Sequence, residues 1–389
     1  MKDGTPPFLI DVSRLLRRLQ RGRLPTGIDR VALAYVSRYG HCSRAFIRYG
    51  RFHAVLPENN SRLLFQQLLN PPSDFTLQAL KFVVSGVTAG VRRRDLAGSI
   101  LFNVGHSGLE DRHYSDLLRR MDVRPVFLVH DLIPITHPEF CRAGEREKHL
   151  KRMRTVLELA QGVITNSQAT LDSLALFAES EQRVLPPATT AFLASPDMPA
   201  APGRRPADRP YFVVLGTIEP RKNHLLLLQV WRRLVERMGK QAPLLVIVGQ
   251  IGWECENILD LLERCEQLRG HVLQLPACSD TDLANWLRHA RALLFPSFVE
   301  GFGLPLVESL ELGTPVIASD LTVFHEIAGD IPEYLDPLDG MGWMSMIIEY
   351  SAWESQVRNR QLQRMSRFVA PTWEKHFKQV DELLQRVGG

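Results

Sequence analysis

Ten short runs of almost unbroken apolar residues punctuate the chain, and their character limits what it can fold into. FLIDV (8–12), AFIRY (45–49), SILFNVG (99–105), RPVFLVHD (124–131) and GVITNS (162–167) occupy the first half. YFVVLGT (211–217), PLLVIVG (243–249), HVLQLP (271–276), ALLFPS (292–297) and TPVIAS (314–319) occupy the second. Strands without polar alternation are buried on both faces, which is the condition of a parallel sheet covered by helices. Most of these runs are followed by a helical pattern, so the chain reads as successive strand–helix units. The predicted class is α/β. Between the two sets lies PPATTAFLASPDMPAAPGRRPADRP, residues 186–210, whose proline and small residues disfavour regular structure and mark an interdomain linker. Two doubly wound, Rossmann-like domains facing a central cleft are therefore expected, over residues 1–195 and 196–371. The remainder, 372–389, belongs to an amphipathic helix in which Trp373, Phe377, Val380, Leu383, Leu384 and Val387 fall near one face.

Length and charge agree with this division. A chain of 389 residues fits two domains. Residues 1–195 hold 27 Lys+Arg against 18 Asp+Glu, a net of +9, and the remaining 20 basic and 25 acidic residues give −5, which together make the chain's +4. The basic half is expected to face something anionic: a membrane surface, a lipid-linked acceptor or nucleic acid. Arg14, Arg17, Arg18, Arg21 and Arg23 alternate with Leu15, Leu16 and Leu19, and KFVVSGVTAGVRRR (81–94) is a second apolar and basic segment. Each reads as a solvated helix face or as a peripheral membrane contact. No run reaches the ~18 apolar residues of a membrane span. The first residues lack a signal pattern, and the five cysteines form no CxxC pair. A reduced, cytoplasmic setting without a structural metal site is expected.

The stretch FPSFVEGFGLPLVESLELGTPVIASD, 295–320, carries the densest chemistry. Glu300 and Glu308 flank a glycine turn. Pro305 suits a first helical turn and Gly313 the residue past a helix end. The unit reads strand, loop, helix, strand. Its loop offers backbone N–H groups at the carboxyl end of a strand, a place that favours phosphate. Two solvated glutamates on a linker would give the same spacing.

Three further motifs stand at strand ends. GTIEPRKNH (216–224) puts Arg221 and Lys222 between a strand and a helix start, where two cations and the helix dipole suit a diphosphate. An isolated Arg-Lys pair is otherwise a common surface feature, and the junction turns the reading toward function. VFLVHDLIPITHPEF (126–140) ends a strand at His130 and Asp131; that histidine can hydrogen-bond a substrate or move a proton, or simply be a satisfied edge residue. His137 reads as structural. LPTGIDRVALAYVSRY (24–39) places Gly27 before a helical pattern, with backbone open to close approach. There is neither a GxGxxG fingerprint nor a P-loop.

Taken together, GTIEPRKNH, VIVGQIGW, PSFVEGFGLPLVESLELGTPVIASD and HEIAGDIPEYLDPLD, with VHDLIPITHPEF and VITNSQATLDSL upstream, resemble the family-four glycosyltransferases. These are retaining enzymes of the GT-B type, and the likeness is strongest to the GDP-mannose-dependent mannosyltransferases of bacterial polysaccharide synthesis. It covers about residues 100–380; residues 1–100 match only loosely, and the turn TGIDR lacks the Gly-Gly pair of many relatives. The resemblance implies that Arg221 and Lys222 bind the donor diphosphate and stabilise the leaving group, and that Glu300 lies at the transferred sugar. Backbone N–H groups of Gly301, Phe302, Gly303 and Leu304 would contact sugar or phosphate, and Glu308 the ribose hydroxyls. His130 would approach the sugar from the first domain, with Gly27 near the phosphates and Asp131 and Asp29 on the acceptor side. The base would lie near Val248–Gln250 and PACSDTDL, and the last helix would cross back to the first domain.

The implied reaction moves a sugar, α-mannose from GDP-mannose, to a lipid-linked or surface-polysaccharide acceptor, with front-face attack and no metal or cofactor. A UDP-sugar or GDP-fucose donor is the alternative. A sugar-nucleotide epimerase or phosphorylase on the same fold is a different reaction class; the Glu300–Glu308 spacing with the Arg-Lys pair disfavours the epimerase, and there is no obvious lysine for pyridoxal phosphate. A non-enzymatic nucleotide-sugar-binding protein is the remaining reading. Nucleic acid is not an expected partner, because a carboxylate-lined cleft repels a polyanion. The expected location is the cytoplasm, peripheral on the inner membrane face.

Overall fold

Two sheets with the same winding organise the chain. A computed structural model describes residues 8–20, 27–49, 52–72, 75, 82, 95–196, 198 and 203–388. The seven strands of the first sheet are β1 (Phe8–Asp11), β2 (Ser43–Tyr49), β3 (Phe52–Val55), β4 (Ile100–Asn103), β5 (Arg124–Val129), β6 (Gly162–Thr165) and β7 (Ala188–Thr190). They lie in the order β3-β2-β1-β4-β5-β6-β7. All pairings are parallel except β2 with β3, an antiparallel hairpin.

The second sheet holds β8 (Tyr211–Leu215), β9 (Leu244–Val248), β10 (Val272–Leu275), β11 (Leu293–Phe295), β12 (Val316–Ser319) and β13 (Glu333–Leu335), in the order β10-β9-β8-β11-β12-β13. It is parallel throughout. Each sheet reverses its direction of winding between two central strands, β1 and β4 in one, β8 and β11 in the other. Open α/β sheets bind ligands beyond the carboxyl ends of the strands at that reversal.

The apolar runs form the expected strands because their side chains are buried on both faces: β5, β6, β9, β11 and β12 are almost wholly buried. In the second unit Trp231, Trp343, Phe212 and Tyr350 anchor the core beneath the helix His224–Met238. In the first, Tyr35, Tyr39, Phe102 and Phe377 meet edge to face or stacked, with ring centroids 5.1–5.5 Å apart where Tyr35 or Tyr39 meets Phe102 or Phe377.

The chain divides into two units that are not simple halves. The first takes residues through Leu132, Glu147–Leu193 and the segment from Trp373 on; the second takes Ile133–Arg146 and Ala194–Thr372. Helix Trp373–Gly388 buries His376, Phe377, Val380, Leu383 and Leu384 within the first unit. His376 accepts from the Tyr35 hydroxyl at 3.0 Å and faces the Ala191 and Phe192 carbonyls at 3.1 Å. Residues 133–146 join the second unit because Phe140 stacks on Phe298 at 5.0 Å and Arg142 lies over Trp253 at 4.8 Å. The proline-rich stretch is not structureless: β7, the last strand of the first sheet, lies inside it.

The arginine-rich segment forms helix Ser13–Gln20, and the protein engages its arginines. Arg14 and Arg18 pair with Asp29 at 2.9 and 2.8 Å, and Arg17 donates to the Ser107 hydroxyl at 2.6 Å. Arg21 and Arg23 lie outside the described residues, as does segment 81–94 apart from Phe82. Among the described residues no helix is long and apolar enough to cross a membrane.

Candidate functional site

The second unit gathers its charged residues at the reversal between β8 and β11. β8 ends at Leu215, and a 3-10 turn, Pro220–Lys222, leads into helix His224–Met238. Asn223, between turn and helix, adopts the left-handed region at φ 55°. Its amide donates to the Pro296 carbonyl at 3.2 Å and the Pro337 carbonyl at 2.8 Å. One side chain thus ties the exit of β8 to the exits of β11 and β13, and this holds Arg221 and Lys222 in place.

Both cations converge on Glu300. Arg221 Nη1 donates to Glu300 Oε2 at 2.5 Å, and Lys222 Nζ to Glu300 Oε1 at 2.6 Å. Arg221 also grips Glu219 Oε1 through Nε at 3.0 Å and Nη2 at 2.7 Å, and donates to the Val299 carbonyl at 3.1 Å. Lys222 Nζ sits 5.0 Å from the Phe295 ring centre, an added cation–π contact. Burial would raise the Glu300 carboxyl, but the Arg221 and Lys222 charges beside it prevail and hold it at about 2. Burial pushes Glu219 up, with Arg221 opposing, and pushes Lys222 down, with Glu300 opposing. The result is a buried cluster of two cations and two carboxylates.

Helix Leu304–Glu311 starts next to this cluster in sequence, with Pro305 in its first turn. Gly303, at φ +149°, leads into it, and a Cβ there would come 2.9 Å from the Phe324 ring, so this turn requires glycine. The far end closes as the sequence anticipates: Gly313 is left-handed, its N–H bonds the Leu310 carbonyl, and Thr314 N–H bonds the Ser309 carbonyl. Gly301 and Phe302 lie in the turn, and Phe302 and Glu308 are buried.

The first unit assembles a second group of predicted residues around the loop after β4. His130 follows β5, is buried, and donates from Nε2 to the Val104 carbonyl at 2.8 Å. Burial keeps it below the ordinary histidine range. That bond places the proton on Nε2, which leaves Nδ1 as the nitrogen able to accept a hydrogen bond. His130 is therefore suited to accept from a hydroxyl through Nδ1 more than to pass a proton through Nε2. Two histidines that the sequence reading did not single out hold it. His106, left-handed at φ 54°, accepts the His130 backbone N–H at 3.3 Å, and His149 Nε2 donates to the Asp131 carbonyl at 3.0 Å. Burial, reinforced by its histidine neighbours, keeps His106 neutral.

Gly27 opens helix Gly27–Tyr39; the preceding turn lies outside the described residues. The neighbouring Ile28 lies 3.8 Å from the position of a Cβ on Gly105, so Gly27 and His130 share the loop after β4. Asp29 is 1% exposed and paired with Arg14 and Arg18. Its position makes it a buried counter-ion to both arginines. Asp131 is half-buried and contributes its carbonyl to His149.

Four residues that contact the candidate ones carry no sequence signal of their own: Glu219, Asn223, His106 and His149. The first two stand inside GTIEPRKNH, so their signal was proximity to Arg221. The histidines carry no local signal, because their partners are distant in sequence.

Comparison with known proteins places this geometry. Residues 200–331 match the family Glycosyl transferases group 1. The serotype-specific mannosyltransferase WbdA of Escherichia coli is 32% identical over 229 residues, 55% of this chain and 28% of that protein. O-antigen chain mannosyltransferase B of Escherichia coli is 32% identical over 227 residues, 56% of this chain and 58% of that protein. The chain thus spans between about a quarter and three-fifths of these curated relatives. Among solved structures, Anabaena HepE in complex with UDP superposes with a TM-score of 0.65 at 15% identity, over 97% of this chain and 99% of that one.

Proposed function

We propose that this chain, which carries a glycosyl transferases group 1 domain on a GT-B framework, is a retaining mannosyltransferase that uses GDP-mannose. The observation that carries the proposal is the convergence of Arg221 and Lys222 on Glu300 at the reversal point of the second sheet. Cleavage of a glycosyl–phosphate bond leaves an oxocarbenium-like sugar and an anionic nucleoside diphosphate. Fixed cations aimed at the leaving group stabilise that separation of charge.

In this reading the diphosphate takes over the two cations from Glu300, and the carboxylate turns to the hydroxyls of the transferred sugar. Glu308 holds the ribose. His130 accepts a hydroxyl of the sugar at Nδ1. The leaving phosphate receives the acceptor's proton, and no metal is required because Arg221 and Lys222 supply the positive charge. Glu308 is assigned to ribose, so no carboxylate pair of the double-displacement type is invoked. Mannosyl transfer is supported by the relatives' activities, and a growing polysaccharide or lipid-linked glycan is the matching acceptor class. Contact with the cytoplasmic membrane face belongs to the same proposal.

A UDP-sugar donor is the second reading, since solved proteins of this fold include UDP complexes. Thermal-shift and calorimetric titration with GDP, UDP, ADP and CDP and their common sugars decides between them. Selective stabilisation by GDP-mannose is the expected result. Selectivity for a UDP-sugar replaces the donor, and a protein that binds no nucleotide overturns the proposal.

A further inference from the structure

A cavity of the first unit lies among residues that the proposed function does not use. It has a volume of about 250 Å³ and is lined by Arg48, Phe52, His53, Asp111, His113 and Tyr114, with Leu117 behind them. It opens beside the carboxyl end of β2, one strand away from the reversal between β1 and β4. A ligand site for a drug-sized molecule has ~300–1,000 Å³, so this space suits a single small ring.

Its lining is mixed in a particular way. Phe52, at the start of β3, is 66% exposed and presents its ring to the opening. Asp111 caps helix Arg112–Met121 by accepting the His113 N–H at 3.0 Å, and its carboxylate remains about half exposed. Arg48, by contrast, is fixed. Its guanidinium lies 4.0 Å from the Tyr114 ring centre, donates to the Ser107 carbonyl at 2.5 Å and hydroxyl at 3.2 Å, and faces Asp11 at 3.5 Å. Gly108 is left-handed at φ +83°, and a Cβ there would overlap the Arg48 guanidinium. The loop is thus shaped around that side chain.

The same loop reaches His130. Ser107 and Gly108 hold Arg48, while the adjacent His106 accepts the His130 N–H. Arg48 in the cavity wall and the histidine assigned to the sugar are therefore both held by one five-residue loop, 104–108.

We infer that this cavity is a subsite for one hexopyranose unit of the acceptor glycan. An exposed aromatic ring provides a flat apolar surface for the C–H face of a pyranose. A carboxylate and imidazoles at its edge supply the acceptors and donors that vicinal hydroxyls need, and a pre-organised guanidinium adds direction. The inference rests on the glycosyl-transfer reading and adds to it the place and chemistry of acceptor recognition.

Saturation-transfer NMR with methyl α-mannopyranoside, methyl α-glucopyranoside and methyl α-galactopyranoside tests it on the wild type, Phe52→Ala and Phe52→Trp. Phe52 is exposed, so neither variant threatens the fold. At least one hexoside should bind the wild type, bind Phe52→Ala roughly tenfold more weakly, and recover in Phe52→Trp. GDP binding should be equal in all three proteins. A hexoside signal unchanged in Phe52→Ala, or none at all in a protein that still binds a nucleoside diphosphate, overturns the subsite and leaves the transfer reading standing. Failure of every nucleoside diphosphate to bind overturns the transfer reading, and the acceptor subsite with it.

Discussion

The two units carry sheets of the same winding, yet they hold the residues assigned to the sugar and to the diphosphate by opposite means. The first unit uses neutral imidazoles. His106, His130 and His376 are buried, kept below the ordinary histidine range, and bonded mostly to backbone groups. The second uses full charges, with Arg221 and Lys222 locked to Glu219 and Glu300. A neutral network fixes direction at little electrostatic cost and suits a residue that must orient a hydroxyl. A charged cluster stores attraction that a phosphate can claim, but its members are costly to bury singly. The difference teaches that the shared fold supplies only the location, while the side chains decide whether it handles charge or shape.

The sharpest way to break this comparison is Lys222→Ala. It removes a leaving-group cation and leaves Glu300 with Arg221 alone, so transfer should fall by ~10²–10³-fold while circular dichroism stays native. Turnover within a few-fold of wild type would remove Lys222 from the phosphate site. Next in size is Glu308→Ala, which should weaken donor binding by roughly 10–100-fold through loss of charge-assisted hydrogen bonds to ribose. Calorimetry that returns wild-type affinity rejects that assignment.

A smaller effect with an unusual sign is expected of Glu300→Gln. Freed of a competing carboxylate, Arg221 and Lys222 should bind GDP several-fold more tightly, even as sugar transfer declines. Weaker GDP binding in that variant would contradict the exchange of Glu300 for phosphate.

The smallest contrast is in pH. His376 is depressed to about 4 and His224, in the second unit, to about 3, both chiefly by burial. A histidine held neutral when folded takes up its proton more readily when unfolded. Stability is therefore full above the unfolded value of ~6.5 and is lost as pH falls below it. Glu300, depressed to about 2, has the ordinary carboxylate sign and keeps its charge through that window, losing its contribution only between ~4.3 and about 2. Hydrogen exchange between pH 7 and 4 should show the first unit, richer in such histidines, loosening before the second. Uniform loosening of both units would erase the distinction.

Much of the architecture was legible in sequence, and the omissions have a common cause. Nine of the ten apolar runs became strands interior to a sheet; the tenth, HVLQLP, forms β10 at an edge, half-buried, and was legible from its apolar residues alone. The strands not foreseen, β3, β7 and β13, all lie at sheet edges. Their residues are largely half-buried or exposed, so FHAV, ATT and EYL carry no continuous apolar signal. The site followed the same rule. Arg221, Lys222 and Glu300 stand in motifs at strand ends and announce themselves. Glu219 was hidden because a carboxylate two residues from an arginine reads as solvated, although it is 3% exposed. Asp29 is the opposite case: it reads as available near a glycine turn, and only the fold shows that Arg14 and Arg18 lie over it.

The even count of charges around Glu300 bears on how a ligand arrives. Two cations and two carboxylates within one cluster largely cancel at a distance, so on the proposed reading an approaching nucleotide would meet little long-range field from these four groups. Encounter is then governed by diffusion and fit, and the association rate should vary little with ionic strength. Attraction develops only at contact, when the incoming phosphate takes over the bonds to Glu300, and salt acts instead on how long the nucleotide stays. Such a site discriminates by residence and ignores the many small anions that a bare pair of cations would collect.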